Sequence, residues 1–295
     1  MKPITASFLE RFIYDNLQDE TMSRTTKKIG KMLRFFHADE AADRSALDSP
    51  DYARGLSFGE RWSGTPVAEA DGSPVPAADN PLWKYFCEHE EGPGIWKWTH
   101  YFDVYHRHFA RFRGQKANMV EVGIYSGGSL GMWKDYFGRN IHIHGVDIED
   151  ACKCYEDQQT TVHIGDQEDR SFWADFRTKV DNIQILLDDG GHTPDQQMVT
   201  LEEMLPVMPP GSVYICEDIH GVSNRFTAFA AGLVTLLNAQ NTEPGPIPVA
   251  TATPIQQSLC SIHFYPYMLV IEKNAVAPSR LEAPKHGTEW QPFLG

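Results

Sequence analysis

Met119-Val-Glu-Val-Gly-Ile-Tyr-Ser-Gly-Gly-Ser129 is the stretch whose reading decides the fold. An apolar run ends at Gly123, and two more glycines, Gly127 and Gly128, open what reads as a helix. A buried parallel strand has this form where its carboxyl end opens into a site. Two further stretches repeat it: Ile185-Leu-Leu-Asp-Asp-Gly-Gly-His192 and Val213-Tyr-Ile-Cys-Glu-Asp218. In one sheet, these ends carry a glycine turn, then Asp189 and His192, then Glu217 and Asp218, to a common rim.

Outward from these strands the pattern alternates. Strands are expected over 119–123, 141–147, 161–164, 183–188, 212–217, 262–264 and 268–272. Helices are expected over 129–137, 170–179, 194–204 and 224–237, with another over 99–113 leading into the first strand. This is an α/β, doubly wound, Rossmann-like architecture with a mostly parallel seven-stranded sheet and an antiparallel last strand. Three regions are expected: a helical and irregular extension over 1–90, the α/β domain over 91–275, and a tail over 276–295. In the extension, Phe8, Phe12, Ile13 and Leu17, then Ile29, Met32, Leu33 and Phe36, carry helical periodicity. Residues 45–81 read as an irregular connection. The Pro-rich insert 243–257 reads as a substrate-side loop.

Bulk composition excludes some classes. The chain has 295 residues, 41% hydrophobic and 22% charged, enough for a packed core. Its net charge of -14, with no long basic run, argues against nucleic acid as a partner. No apolar run is long enough to span a bilayer and nothing resembles a signal peptide, so a cytoplasmic protein without a membrane partner is expected. Five scattered cysteines argue against a disulfide framework. Cys152-Lys-Cys154 reads either as a metal or redox pair or as two unrelated thiols.

The chemistry is expected at the strand ends. The glycine turn suits close backbone approach to a nucleotide-type ligand. Asp147, about twenty residues on, is placed to bind ribose hydroxyls or to cap a helix. Asp166 reads equally as an adenine contact or as turn chemistry. The glycine spacing departs from that of nicotinamide enzymes, and an acid, Glu121, lies inside the strand. A buried Glu needs partners; with this turn it points to S-adenosylmethionine, whose amino-acid portion is cationic. The candidate cofactor contacts are Glu121, Gly123, Tyr125, Ser129, Asp147, Ile148, Asp166, Gln167 and Asp188. Asp189, Glu217 and Asp218 can converge as oxygen ligands on a hard cation such as Mg²⁺, which would lower a hydroxyl's pKa. His192 is the candidate general base. Lys97, Trp98 and Tyr101, before the first strand, and His220 are candidate substrate contacts. His220 is also a backup base, although a histidine in such a place more often merely packs.

At these residues the chain resembles class I S-adenosylmethionine-dependent O-methyltransferases, and among them the metal-dependent macrolide sugar O-methyltransferases and their cephalosporin-hydroxylase-like relatives. The resemblance covers about 90–275, and Asp188-Asp-Gly-Gly-His192 with Glu217-Asp218 is its specific part. It implies Mg²⁺ on Asp189, Glu217 and Asp218, His192 as base, and cofactor contacts from Glu121, Gly123, Ser129, Asp147 and Asp166. It also implies a small-molecule hydroxyl acceptor and a homo-oligomer. Gly94-Ile-Trp-Lys-Trp98 stands where relatives carry a Gly-Thr-Asp-Lys-like element. Two rival chemistries are a nicotinamide-dependent oxidoreductase and a catechol-type phenol O-methyltransferase.

Overall fold

The computed structural model describes residues 50–63, 75–239, 242–243, 249–284 and 286–287. The chain divides into two compact units, Met1–Ala70 and Asp71–Gly295. In the first unit the described residues form helix α1 (Pro50–Ser63). This corrects the expectation of an irregular connection there: Pro50 starts the helix, Asp51 lies in its first turn and Arg61 in its last, all suited to the helix dipole. The helical periodicity expected over 1–40 lies outside the described residues.

The second unit is an α/β sandwich built on a seven-stranded sheet of order β3-β2-β1-β4-β5-β9-β8. Its strands are β1 (Ala117–Val122), β2 (Ile141–Asp147), β3 (Thr160–Ile164), β4 (Ile183–Asp188), β5 (Val213–Cys216), β8 (Leu259–Tyr265) and β9 (Met268–Lys273). β1 to β5 are parallel, and β9 runs antiparallel between β5 and β8. The helices are α2 (Pro81–Glu88), α3 (Tyr101–Phe109), α4 (Gly128–Phe137), α5 (Arg170–Lys179), α6 (Pro194–Met204), α7 (Arg225–Leu237) and α8 (Pro254–Ser258). Helix α2, counted with the extension in the sequence reading, packs in this unit, burying Leu82 and capped by Asn80.

Two cores cover the two faces of the sheet. One gathers Tyr101, Phe102, Tyr105, Phe109, Trp133, Ile143 and Ile185. The other gathers Val120, Val122, Val146, Trp173, Phe176, Leu186 and Tyr214. Strand β1 serves both because its side chains alternate: Met119 faces the first core, Val120 and Val122 the second. Burial on both faces is why these strands read as continuous apolar runs.

A second, three-stranded sheet was not foreseen. It pairs β6 (Thr242–Glu243), β7 (Val249–Thr251) and β10 (Arg280–Glu282) in antiparallel order. The tail thus supplies a strand to the Pro-rich insert. None of the insert's described residues lines the cavity at the strand ends. No helix among the described residues is long and apolar enough to cross a membrane.

Candidate active site

A cavity of about 890 Å³ opens at the carboxyl ends of β1, β2, β4 and β5. Its floor is the β1–α4 turn. Gly123 (φ 81°) and Gly127 (φ 74°) take left-handed backbone that other residues avoid. A Cβ at Gly123 would collide with the Asp189 carbonyl oxygen, so the first turn and the β4 end touch backbone to backbone. Asp147 braces the turn: Oδ2 accepts from the Ile124 and Tyr125 amides at 3.1 Å, and Oδ1 from the Glu149 amide at 3.0 Å. Asp147 also lines the cavity with Tyr125 and Ile148, whose side chains are exposed there.

Glu121 lies beneath this floor. It is fully buried and does not line the cavity. Oε2 accepts from Ser129 Oγ and Oε1 from Trp133 Nε1, both at 3.0 Å. Burial pushes its carboxyl up to about 7, against the opposing charge of Lys97. Its Ser129 partner does line the cavity. Two more candidates, Asp166 and Asp188, also lie outside the lining. Asp166 Oδ1 accepts from the Glu168 amide at 2.8 Å, as in a turn. Asp188 is 2% exposed and accepts from Gln167 and Tyr214, and burial raises it to about 7. Gln167 links this buried acid to the rim, its Oε1 accepting from the Gly191 amide at 2.7 Å.

The acidic rim comes next. Asp189, His192 and Asp218 bring ligand atoms within 4.8 Å of one another. His192 Nε2 lies 3.6 Å from Asp218 Oδ2, and His220 Nε2 lies 3.7 Å from Asp218 Oδ1. Tyr125, His192 and Asp218 all hold positive φ without being glycine, at 42°, 58° and 54°. Strained backbone clustered on one cavity marks a place where geometry is over-determined by its surroundings.

The residues before β1 fold over this rim. The Trp98 indole N–H reaches Asp218 Oδ1 at 3.0 Å, and the Tyr101 hydroxyl reaches the same oxygen at 2.9 Å. The Lys97 ammonium pairs with Asp189 Oδ2 and with Glu217 Oε2, the latter at 3.1 Å. Burial alone would lower the Lys97 pKa, yet the charges of Asp189 and Glu217 hold it above the ordinary lysine range. The Tyr105 hydroxyl donates to Glu217 Oε1 at 2.5 Å. Burial, then the Asp189 charge, push the Glu217 carboxyl well up, with Lys97 opposing.

Lys97 lines the cavity and pairs its charge with two carboxylates. The three acids expected to share one ion are not equivalent: Asp189 and Asp218 gather with His192, whereas Glu217 faces Lys97 and Tyr105. Hard oxygen donors at Asp189 and Asp218 fit a divalent cation beside the cavity. Neither Tyr105 nor Trp133 carried a site role in the sequence reading. The spacing Lys97-x₃-Tyr101-x₃-Tyr105 was the signal that could have flagged Tyr105. Cys152-Lys-Cys154 forms no pair: Cys152 is a buried free thiol 3.6 Å from the Tyr125 carbonyl, and Cys154 is exposed and free.

Strand order and glycine turn together define the class I methyltransferase fold, and comparison with known proteins agrees. No protein-family model matches the chain. The chain is similar to the 8-demethyl-8-alpha-L-rhamnosyl tetracenomycin-C 2'-O-methyltransferase of Streptomyces olivaceus, with 29% identity over 226 residues, covering 71% of this chain and 58% of the relative. It is similar to the demethylmacrocin O-methyltransferase of Streptomyces fradiae, with 34% identity over 132 residues, 42% of this chain and 33% of the relative. The chain thus spans less than two thirds of the length of these relatives. Among solved structures it resembles the MycE methyltransferase of the mycinamycin biosynthetic pathway, in a complex with Mg, SAH and mycinamycin VI, at TM-score 0.54 and 23% identity, covering 69% of this chain and 55% of that one. The sequence comparisons carry the resemblance to O-methyltransferases, and the fold comparison carries the methyltransferase fold.

Proposed function

We propose that this protein transfers a methyl group from S-adenosylmethionine to a hydroxyl of a small natural-product sugar, with Mg²⁺ as cofactor and His192 as general base. The observation that carries the reading is the single cavity that joins the β1 glycine turn and Asp147 to Asp189, His192 and Asp218. Similar proteins are named as the 2'-O-methyltransferase of a rhamnosyl tetracenomycin and as a mycinamicin VI 2''-O-methyltransferase, and the similar MycE structure holds Mg and SAH.

Asp147, Tyr125, Ile148, Ser129 and Gln167 would bind the nucleoside side, where the cavity is lined by both apolar and hydrogen-bonding groups. Asp189, Glu217 and Asp218, which all line the cavity, would hold the ion. When bound, the cofactors supply a methyl group on cationic sulfur and a charge that lowers the pKa of a nearby hydroxyl. His192 Nε2 accepts the hydroxyl proton, and Asp218 stabilises the imidazolium that results. Trp98 and Tyr101 fix Asp218 through their donated hydrogen bonds. Holding acceptor and methyl group in line supplies much of the rate.

The test is methyl transfer with labelled cofactor over a library of glycosides and phenols, with and without EDTA. Loss of turnover with EDTA and preference for glycosides support the reading; EDTA-insensitive transfer, or none with wild-type protein that binds S-adenosylhomocysteine, overturns it. A phenol acceptor is the second reading, favoured by the aromatic wall in which Trp98 lies 5.4 Å and His220 4.6 Å from Tyr267 between ring centroids.

A further inference from the structure

Away from the cavity, a second group of donor side chains gathers where α3 packs on the β8 edge of the sheet. Ser261, His263 and Tyr265 alternate along β8 and so share one face. Glu272 on β9 pairs directly with Ser261, which puts its carboxylate on that face as well. His108, near the carboxyl end of α3, lies against them. His108, His263 and Glu272 bring one ligand atom each within 4.8 Å of one another. None of the three lines the large cavity.

The surroundings of His108 are those of a metal-ligating imidazole. The residue is 3% exposed. Its Nδ1 lies 3.2 Å from Glu272 Oε1, and its Nε2 lies 3.0 Å from the Tyr265 hydroxyl. A ligating histidine gives one nitrogen to the ion and donates its other N–H to an outer partner that fixes the ring. The Tyr265 oxygen, which also accepts from Arg107 at 3.2 Å, is such a partner. One hydroxyl tethers the other two donors: Ser261 Oγ meets His263 Nε2 at 2.9 Å and donates to Glu272 Oε2 at 3.3 Å. Arg111 bonds Glu272 Oε1, but its side chain is 42% exposed and is free to turn into solvent when an ion arrives. Two imidazoles and one carboxylate suit a borderline divalent ion such as Zn²⁺ better than Mg²⁺, which prefers an all-oxygen set. Three protein donors leave one tetrahedral place for water.

We propose that His108, His263 and Glu272 form a second metal site, for Zn²⁺ or a similar borderline ion, that ties α3 to the β8–β9 hairpin. The helix and the hairpin already meet at the start of α3: the Tyr101 hydroxyl donates to the Tyr267 carbonyl at 3.2 Å, and His100 Nε2 lies 3.0 Å from the Pro266 carbonyl. An ion on His108 fixes the helix at its other end. The site is independent of the methyltransferase reading and of the ion on the acidic rim.

The test is Zn²⁺ binding to the full chain by calorimetry with Mg²⁺ in excess, together with the melting temperature with and without Zn²⁺. Wild type is compared with His263→Ala, Glu272→Gln and His192→Ala. Loss of an outer partner alone costs about 10–100-fold in metal affinity, so loss of a ligand in His263→Ala or Glu272→Gln should weaken Zn²⁺ binding by about 100-fold or more. His192→Ala, altered in the other histidine–carboxylate group, should keep the site. Zn²⁺ should raise the melting temperature of wild type and of His192→Ala, and not that of His263→Ala. Wild type that binds no Zn²⁺ overturns the proposal. So does binding by His263→Ala and Glu272→Gln equal to wild type, or a loss confined to His192→Ala, which would put the ion on the acidic rim. If His263→Ala does not fold, Glu272→Gln, close in shape to the native residue, carries the test.

Discussion

Gly123 and Asp189 meet backbone to backbone: the space a Gly123 side chain would fill is held by the Asp189 carbonyl, while the Asp189 amide bonds the Val122 carbonyl at 3.0 Å. The cofactor turn and the acidic rim are therefore one rigid piece. Gly123→Ala should strain a positive φ and push the β4 end away. The expected cost is more than about 1 kcal/mol, with loss of cofactor binding and of turnover together. Urea unfolding and a cofactor titration check this; a variant that keeps both would show that the two ends move independently.

His192→Ala should lower turnover by about 10²–10⁴-fold while cofactor affinity, measured by calorimetry, stays near wild type. His220→Ala, at the other Asp218 oxygen, should keep most of the turnover. The reverse ranking would make His220 the base.

Tyr105→Phe removes a hydroxyl from a buried carboxylate. The loss expected is about 1.5–3 kcal/mol of stability, read from denaturant midpoints. A neutral result would mean that Lys97 alone satisfies Glu217.

His144 and His163 sit 3.2 Å apart, ring nitrogen to ring nitrogen. Burial first, then neighbouring positive charge, lowers both to about 4 from 6.5. Their folded-state values lie below the unfolded ones, so the folded protein binds fewer protons. The stability these groups contribute is complete above about pH 6.5 and is lost as pH falls toward 4. The melting temperature should fall through that window, and His163→Gln should flatten the fall. A wild-type profile flat from pH 7 to 4 would contradict this.

Much of this was readable in the chain. Strands that run apolar into glycine or acid announced β1, β4 and β5, because burial on both faces leaves a continuous apolar signal. The same ends named Asp189, His192, Glu217 and Asp218. What the sequence did not show arises from contacts between distant segments. Lys97 and Tyr105 reach Glu217 from residues more than a hundred positions earlier, and Trp133 reaches Glu121 across a helix face. Helix α1 was hidden by Pro and Gly, which are compatible with a helix start and an exposed helix face. Strand β10, three exposed residues long, carries no apolar pattern at all.

The insertion of β9 between β5 and β8 has a consequence for synthesis on the ribosome. Val213–Cys216 is wholly buried in the finished sheet, yet its outer neighbour is encoded more than fifty residues downstream. Until that partner emerges, the nascent chain carries a bare, water-shy edge open to pairing with any other strand. Early termination or slow decoding in this interval should yield aggregated product rather than a smaller working enzyme.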